Sequence, residues 1–340
     1  MKGSNGMPSR SLAQAIRYRE LRAHRMLYIG ALMLMVLPAT VQVVGGSWTW
    51  NAYTPTYLKD IVLSFAKNDP TLIYFSTIIA GLFAIGLVWS DRGHGDLDWL
   101  LEGPAPRRQI FLTKVLCGIS TIIAAYLWIL AAMGITVLSI HKLELLPAVL
   151  ERSLLGAAVG VFMFMIIISL TSAIGSVVLT VIAAGLASMI PQSVALVYRL
   201  VVVHSTITIM QENIYTTLQQ FSPLPPDYPT GSSQLIFTAV FAGFAYLLGR
   251  LGLRWWSRAA LERFHEPFLF PWLWNVFYAF LAVISGLFVD GIMALRLQYS
   301  QVWIFVAAWG GLAVVLWFVW RRLIWWLGKT ALGWGPGAEF

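Results

Sequence analysis

Long apolar runs, each about 18 to 30 residues, alternate with short polar segments along most of the chain. A helix needs about 20 such residues to cross a hydrocarbon core roughly 30 Å thick, and lipid-exposed backbone must be hydrogen-bonded internally. The chain is 59% hydrophobic and 11% charged, with a mean hydropathy of +0.74, whereas soluble domains carry about 25% charged residues. These features predict an all-α, polytopic helical membrane protein.

The apolar runs and the charges between them predict eight spans with both termini in the cytoplasm. The predicted spans are residues 26–44, 71–89, 110–140, 153–170, 177–190, 234–253, 271–289 and 302–320. This topology puts 17 of the 23 lysine and arginine residues on the cytoplasmic side, as the positive-inside tendency of short loops requires. Residues 45–70 and 141–152 become outer loops. We therefore expect a multi-pass protein of the plasma (inner) membrane.

Residues 10–25 place basic and apolar positions at helical spacing and predict an interfacial helix before the first span. Arg17 and Arg22 on such a helix can reach lipid phosphates while its apolar positions face lipid. A plain basic flank without a helix is the alternative.

Residues 191–233 contain a proline-rich turn and predict re-entrant-like structure on the outer face. The chain then divides into residues 1–255, the helix plus a six-span core, and residues 256–340, a two-span hairpin with a basic tail.

The polar insert between the second and third spans, residues 90–114, has the most specific pattern in the chain. Asp91 and the glycines at 93 and 95 predict the exit from a helix. Residues 96–102 predict a short amphipathic helix, because acids suit its N-terminal end and its leucines share one face. Pro104 ends it. The residues of this pattern are Asp91, Gly95, Asp96, Leu97, Asp98, Leu100, Leu101 and Pro104.

This pattern, followed by Arg107 and Lys114, resembles the cytoplasmic loop of the permeases of ABC transporters of the type-2 exporter class. The sequence departs from the family at Asp96, Pro106 and Thr113, where the family usually has Thr, a small polar residue and Gly. In the family, this loop carries a coupling helix that seats in a cleft of the ATP-binding subunit. The resemblance implies a six-span type-2 exporter-like core preceded by an elbow helix. It does not explain the extra C-terminal hairpin.

The resemblance further implies an ATP-driven permease subunit that exports a hydrophobic or amphipathic substrate, such as a lipid, a peptide or a drug. Two ATP-binding cassette subunits would bind ATP and Mg, and a second copy or a homologous permease would complete the membrane part. The insert residues would couple to the ATPase. Arg17, Arg22, Arg107, Arg108 and Lys114 would anchor the chain to membrane lipids. The substrate, the direction of transport and the choice between homodimer and heterodimer stay open.

The residues give little support for a nucleotide-binding loop, a metal site or an ion-coupled carrier. Gly328-Lys329-Thr330 lacks the first glycine of a phosphate-binding loop, the five histidines have no metal-ligand spacing, and no acid pair lies at the centre of a span. We therefore predict no catalytic residue, no metal site and no cofactor bound by this chain. The net charge of +8 suits orientation in a bilayer rather than nucleic-acid binding. An ATP-independent carrier or a membrane scaffold remains the alternative function.

Overall fold

The computed structural model describes residues 9–48, 54–67, 70–93, 106–202, 209–223, 233–258, most of 275–286, and 310–323. The described residues are largely helical, and residues 310–323 at the C-terminal side also form a helix. The preceding helices, in chain order, are α1 Ser9–Ala23, α2 Arg25–Trp48, α3 Thr54–Lys67, α4 Thr71–Gly93, α5 Arg107–Ser139, α6 Leu146–Thr171, α7 Val177–Val202, α8 Ile209–Gln220 and α9 Ser233–Arg258. A 3-10 turn, Leu143–Leu145, joins α5 to α6.

Six helices are long and apolar enough to cross a membrane, namely α2, α4, α5, α6, α7 and α9. They coincide with the first six predicted spans, which confirms a helical multi-pass membrane protein. The seventh and eighth predicted spans, 271–289 and 302–320, fall only partly within the described residues. The specific arrangement of a type-2 exporter stays a prediction.

Two predicted outer loops contain more helix than expected. Residues 54–67 form α3, in which Val62, Phe65 and Ala66 are buried. Residues 146–152 belong to α6, and Arg152 is completely buried in that helix rather than exposed in a loop. The prediction of a loop to residue 152 was wrong because it treated charge as the end of a span. A charged side chain can instead be buried when neighbouring groups interact with it, as they do with Arg152.

The chain forms two compact units, Met1–Ala184 with Pro223–Leu269, and Gly185–Ser222 with Phe270–Phe340. The predicted division into residues 1–255 and 256–340 stays a prediction. Within the second unit, the Ser222 hydroxyl donates to the Ser188 carbonyl at 2.9 Å, and the Trp320 indole donates to Ser285 at 3.0 Å.

Helix α6 is the central helix of the first unit and packs against α4, α5 and α9. Small residues permit this close approach. Gly118 of α5 faces the ring of Phe164 on α6, and Gly156 of α6 faces the ring of Tyr126 on α5. A Cβ atom at either glycine would overlap the facing ring, so each pair fixes the α5–α6 spacing. These are contacts within one chain, of the kind that small residues support between membrane helices.

One end of the first unit gathers the helix termini that carry many of the arginines, and we call it the basic end. Tyr28 near the start of α2 packs edge-on against Phe83 of α4, with ring centroids 5.3 Å apart. Phe111 near the start of α5 lies 6.0 Å from Trp256 at the end of α9. The basic end thus comprises the starts of α2 and α5 and the ends of α4, α6 and α9. This alternation agrees with the predicted order of spans.

Candidate functional site

The predicted coupling insert leaves and re-enters the bundle at the basic end. Helix α4 ends at Gly93 and α5 begins at Arg107, so both flanks of the insert are fixed. Asp91 lies in the last turn of α4. The other predicted coupling residues lie outside the described residues: Gly95, Asp96, Leu97, Asp98, Leu100, Leu101 and Pro104. Their contact with an ATPase stays a prediction.

Two arginines open α5 directly after the insert. Pro106 is extended (φ −65°, ψ 131°), and Arg107 and Arg108 follow in the first helical turn, which has no acidic residue. A helix N-terminus carries partial positive charge and favours anions. The helix dipole therefore does not stabilise the two arginines placed there. Arg108 is exposed, while Arg107 is half-buried. The start of α5 is therefore an anion-attracting position.

The predicted N-terminal helix is present as α1, which ends at Ala23. A turn at the single residue His24 separates it from α2, which begins with Arg25. This removes the alternative of a flank without a helix. Arg17 and Arg22 are exposed on it, as a role at the lipid surface requires. Glu20 of α1 and His24 of the turn that follows are buried, and each retains only 6% exposure.

Lys114 of α5 reaches across to α1 and binds Glu20. The Lys114 ammonium lies 2.8 Å and 3.0 Å from the two Glu20 carboxylate oxygens. The Tyr28 hydroxyl donates to the same carboxylate at 3.3 Å, and His24 Nε2 lies 3.8 Å from it. Lys114 is 5% exposed and Tyr28 is 7% exposed. Three helices therefore meet at one buried carboxylate, and we call these four residues the Glu20 cluster.

The burial of Lys114 does not suit the lipid anchor that the sequence predicted for it. Arg108 keeps the exposure that an anchor needs, but the Lys114 ammonium points to a carboxylate. Sequence reasoning missed the pair because its members are 94 positions apart. A signal was present, since Lys114 is a lone cation inside an apolar run and Glu20 is the only acid in a basic segment. Such residues are usually paired when buried.

A second buried polar group lies near the middle of the bundle. The hydroxyls of Ser76 on α4 and Tyr126 on α5 are hydrogen-bonded, and Ser76 also donates to the Leu72 carbonyl at 2.8 Å. Thr77 and Arg152 are completely buried in α4 and α6. Within the described residues, no group of three or more His, Cys, Asp or Glu side chains could hold a metal ion.

An open apolar groove of about 560 Å³ runs between α5, α6 and α9. Its walls include Leu112, Ile119 and Leu127 of α5, Ala157 and Val161 of α6, and Ala245 of α9. The lining extends along α5 from Phe111 to Leu130, which is about 28 Å at the helical rise of 1.5 Å per residue. That length is close to the roughly 30 Å thickness of a hydrocarbon core.

A second cavity of about 590 Å³ adjoins the groove at the basic end, since both are lined by Arg250 and Leu253. Arg108, Arg254 and Ser257 also line it. The three arginines are exposed and form no ion pair with the part of the chain that the structure describes. The Arg250 guanidinium lies 6.0 Å from the ring centroid of Tyr246, a residue that also lines the groove. We call Arg108, Arg250 and Arg254 the arginine mouth.

No family model, no curated protein and no solved structure matches this chain.

Proposed function

We propose that this chain is the membrane subunit of an ATP-driven ABC transporter of the type-2 exporter class. Separate subunits would bind ATP and Mg, a second permease would complete the path, and the cargo would be hydrophobic or amphipathic. The proposal rests on the sequence pattern of the insert, residues 90–114, and on the two helices that flank it, α4 and α5. The observation that carries it is the buried Glu20–Lys114 pair, which ties α1 to the helix that follows the insert.

The pair gives a physical route by which motion of the insert would reach the bundle. Lys114 lies two turns into α5, whose first residue is Arg107. A force applied to the insert would act on the start of α5, and the buried ion pair would make α1 move with it. Removing one member of such a pair leaves a buried charge and costs about 3–5 kcal/mol, so separating α1 from α5 at this point is unfavourable. An N-terminal helix fixed in this manner fits the elbow helix of the proposed class.

Co-purification tests the proposal. The tagged chain, extracted in mild detergent from its native host, is expected to bring down a separate ATP-binding protein. Leu100→Asp with Leu101→Asp should release that protein, because a charged residue cannot fill an apolar docking cleft. The matched control is Leu143→Asp with Leu146→Asp, which changes two exposed leucines at the opposite end of α5 and α6 and should leave the complex intact.

The opposite outcome is equally clear. If no ATP-binding protein is recovered, and the chain with Leu100→Asp and Leu101→Asp supports the same transport or growth as the wild type, the ABC proposal is wrong. An ATP-independent carrier or a membrane scaffold would then be the better description.

A further inference from the structure

We propose that the groove between α5, α6 and α9 binds an anionic phospholipid, with its phosphate at the arginine mouth and an acyl chain along the groove. This inference depends on the groove and its charges, not on the ATP-driven mechanism proposed above. It assigns a ligand class to a built site, of which the sequence pattern singled out only Arg108 as a lipid anchor.

The groove has the chemistry of an acyl-chain site. Apart from Arg250, its described lining residues carry no charge, and most are Leu, Ile, Val, Ala or Phe. Apolar ligands are held by such walls, with a few polar groups that fix their orientation. Those polar groups lie at one end, where Arg250 borders both the groove and the adjoining cavity.

The arginine mouth has the chemistry of a phosphate site. Guanidinium groups bind phosphate through two parallel hydrogen bonds, which makes arginine well suited to this anion. The described residues that line the two cavities include no aspartate or glutamate, so no acid of the lining neutralises the three cations. The N-terminus of α5 beside Arg108 adds its own attraction for an anion. Basic pockets between membrane helices are known to hold anionic headgroups.

Charge also argues against a second copy of the chain as the occupant. In a cyclic dimer about the membrane normal, the two copies hold their basic ends at the same depth, so a contact through this groove would bring their arginine mouths close together. Like charges at an interface are unfavourable. A phospholipid complements the site in both respects. Its acyl chain matches the apolar groove in length, and its negative phosphate is opposite in charge to the arginine mouth.

Native mass spectrometry of the purified chain in neutral detergent tests the proposal. Phosphatidylglycerol is expected to bind at least about tenfold more tightly than phosphatidylcholine with the same acyl chains, because both lipids carry the phosphate but the choline ammonium is repelled by the three arginines. Inorganic phosphate should not compete at comparable concentration, because it cannot use the groove. Equal binding of the two lipids, or equal competition by phosphate, would overturn the proposal. So would a dimer that excludes phosphatidylglycerol.

Two matched pairs of variants locate the site. Arg108→Gln with Arg250→Gln and Arg254→Gln should abolish the preference for phosphatidylglycerol, whereas Arg25→Gln with Lys59→Gln and Arg258→Gln removes the same charge from exposed positions outside both cavities and should preserve it. Ala242→Trp should fill the groove and weaken binding of both lipids. Gly243→Trp, at a neighbouring position with open space around it, should not. Identical behaviour within either pair contradicts the assignment.

Discussion

The Glu20 cluster shows how a few polar side chains determine the relation between α1 and the bundle. Tyr28 of α2, Lys114 of α5 and His24 of the turn between α1 and α2 surround the Glu20 carboxylate of α1, which water barely reaches. Removing two charges from water is unfavourable, and only good geometry with further hydrogen bonds compensates for it. The two short Lys114 contacts and the Tyr28 hydrogen bond provide that compensation.

Lys114→Met should therefore be strongly destabilising. The substitution leaves the Glu20 carboxylate buried without its cation, and we expect the free energy of unfolding to fall by about 3–5 kcal/mol. Adding Glu20→Gln should restore part of this loss, because the double variant no longer holds a buried charge. Denaturant titration in detergent, monitored by tryptophan fluorescence, measures both effects.

An exposed ion pair provides the control for this double-mutant cycle. Lys142 and Glu144 lie 3.6 Å apart but are 46% and 73% exposed, so Lys142→Met should cost at most about 1 kcal/mol. If Lys114→Met costs no more than Lys142→Met, or if the two cluster substitutions are additive, the Glu20 cluster is not the fixed connection described above.

At the scale of helices, the sequence predicted the apolar spans well but predicted their contacts poorly. Six predicted spans coincide with observed helices, since length and hydropathy alone determine whether a segment can cross a membrane. The helix α3 was missed because its single apolar face, with Val62 and Phe65, is too short to read as a span. The Glu20 cluster and the groove depend on pairs of residues far apart in sequence. A single sequence does not show which distant residues are in contact.

The glycine contacts of α5 and α6 lead to a prediction at this scale. Gly118→Ala should destabilise the bundle by about 1–3 kcal/mol, because the new methyl group overlaps the Phe164 ring and the helices must separate. Gly30→Ala in α2 is the control, since nothing lies within 4 Å of its added Cβ. It should be neutral or stabilising by up to about 1 kcal/mol through helix propensity.

Thermal unfolding in detergent compares the two variants. Adding Phe164→Leu to Gly118→Ala should recover part of the lost stability, because the smaller side chain makes room for the methyl group. Equal melting temperatures for Gly118→Ala and Gly30→Ala would show that α5 and α6 do not approach each other closely at this point.

For the whole molecule, the proposals on coupling and on lipid binding both require the basic end to face the cytoplasm. ATP is available on that side, and the inner leaflet carries the anionic lipids that attract arginine. The contacts within the first unit group these helix ends at one end of the bundle. The excess of basic residues at these ends predicts the cytoplasmic face.

Cysteine labelling with a membrane-impermeant maleimide measures this orientation. The chain has one native cysteine, Cys117, which is buried and should give little background. Arg22→Cys and Ser257→Cys introduce exposed thiols at the basic end and should react only in inside-out vesicles. Lys142→Cys, which is exposed beyond the other end of α5, should react only in spheroplasts. If all three sites label from the reverse sides, the bundle is inverted and an ATPase cannot reach the insert. If Arg22→Cys and Ser257→Cys label from different sides, α1 and the end of α9 do not share one end of the bundle, and the arrangement itself is wrong.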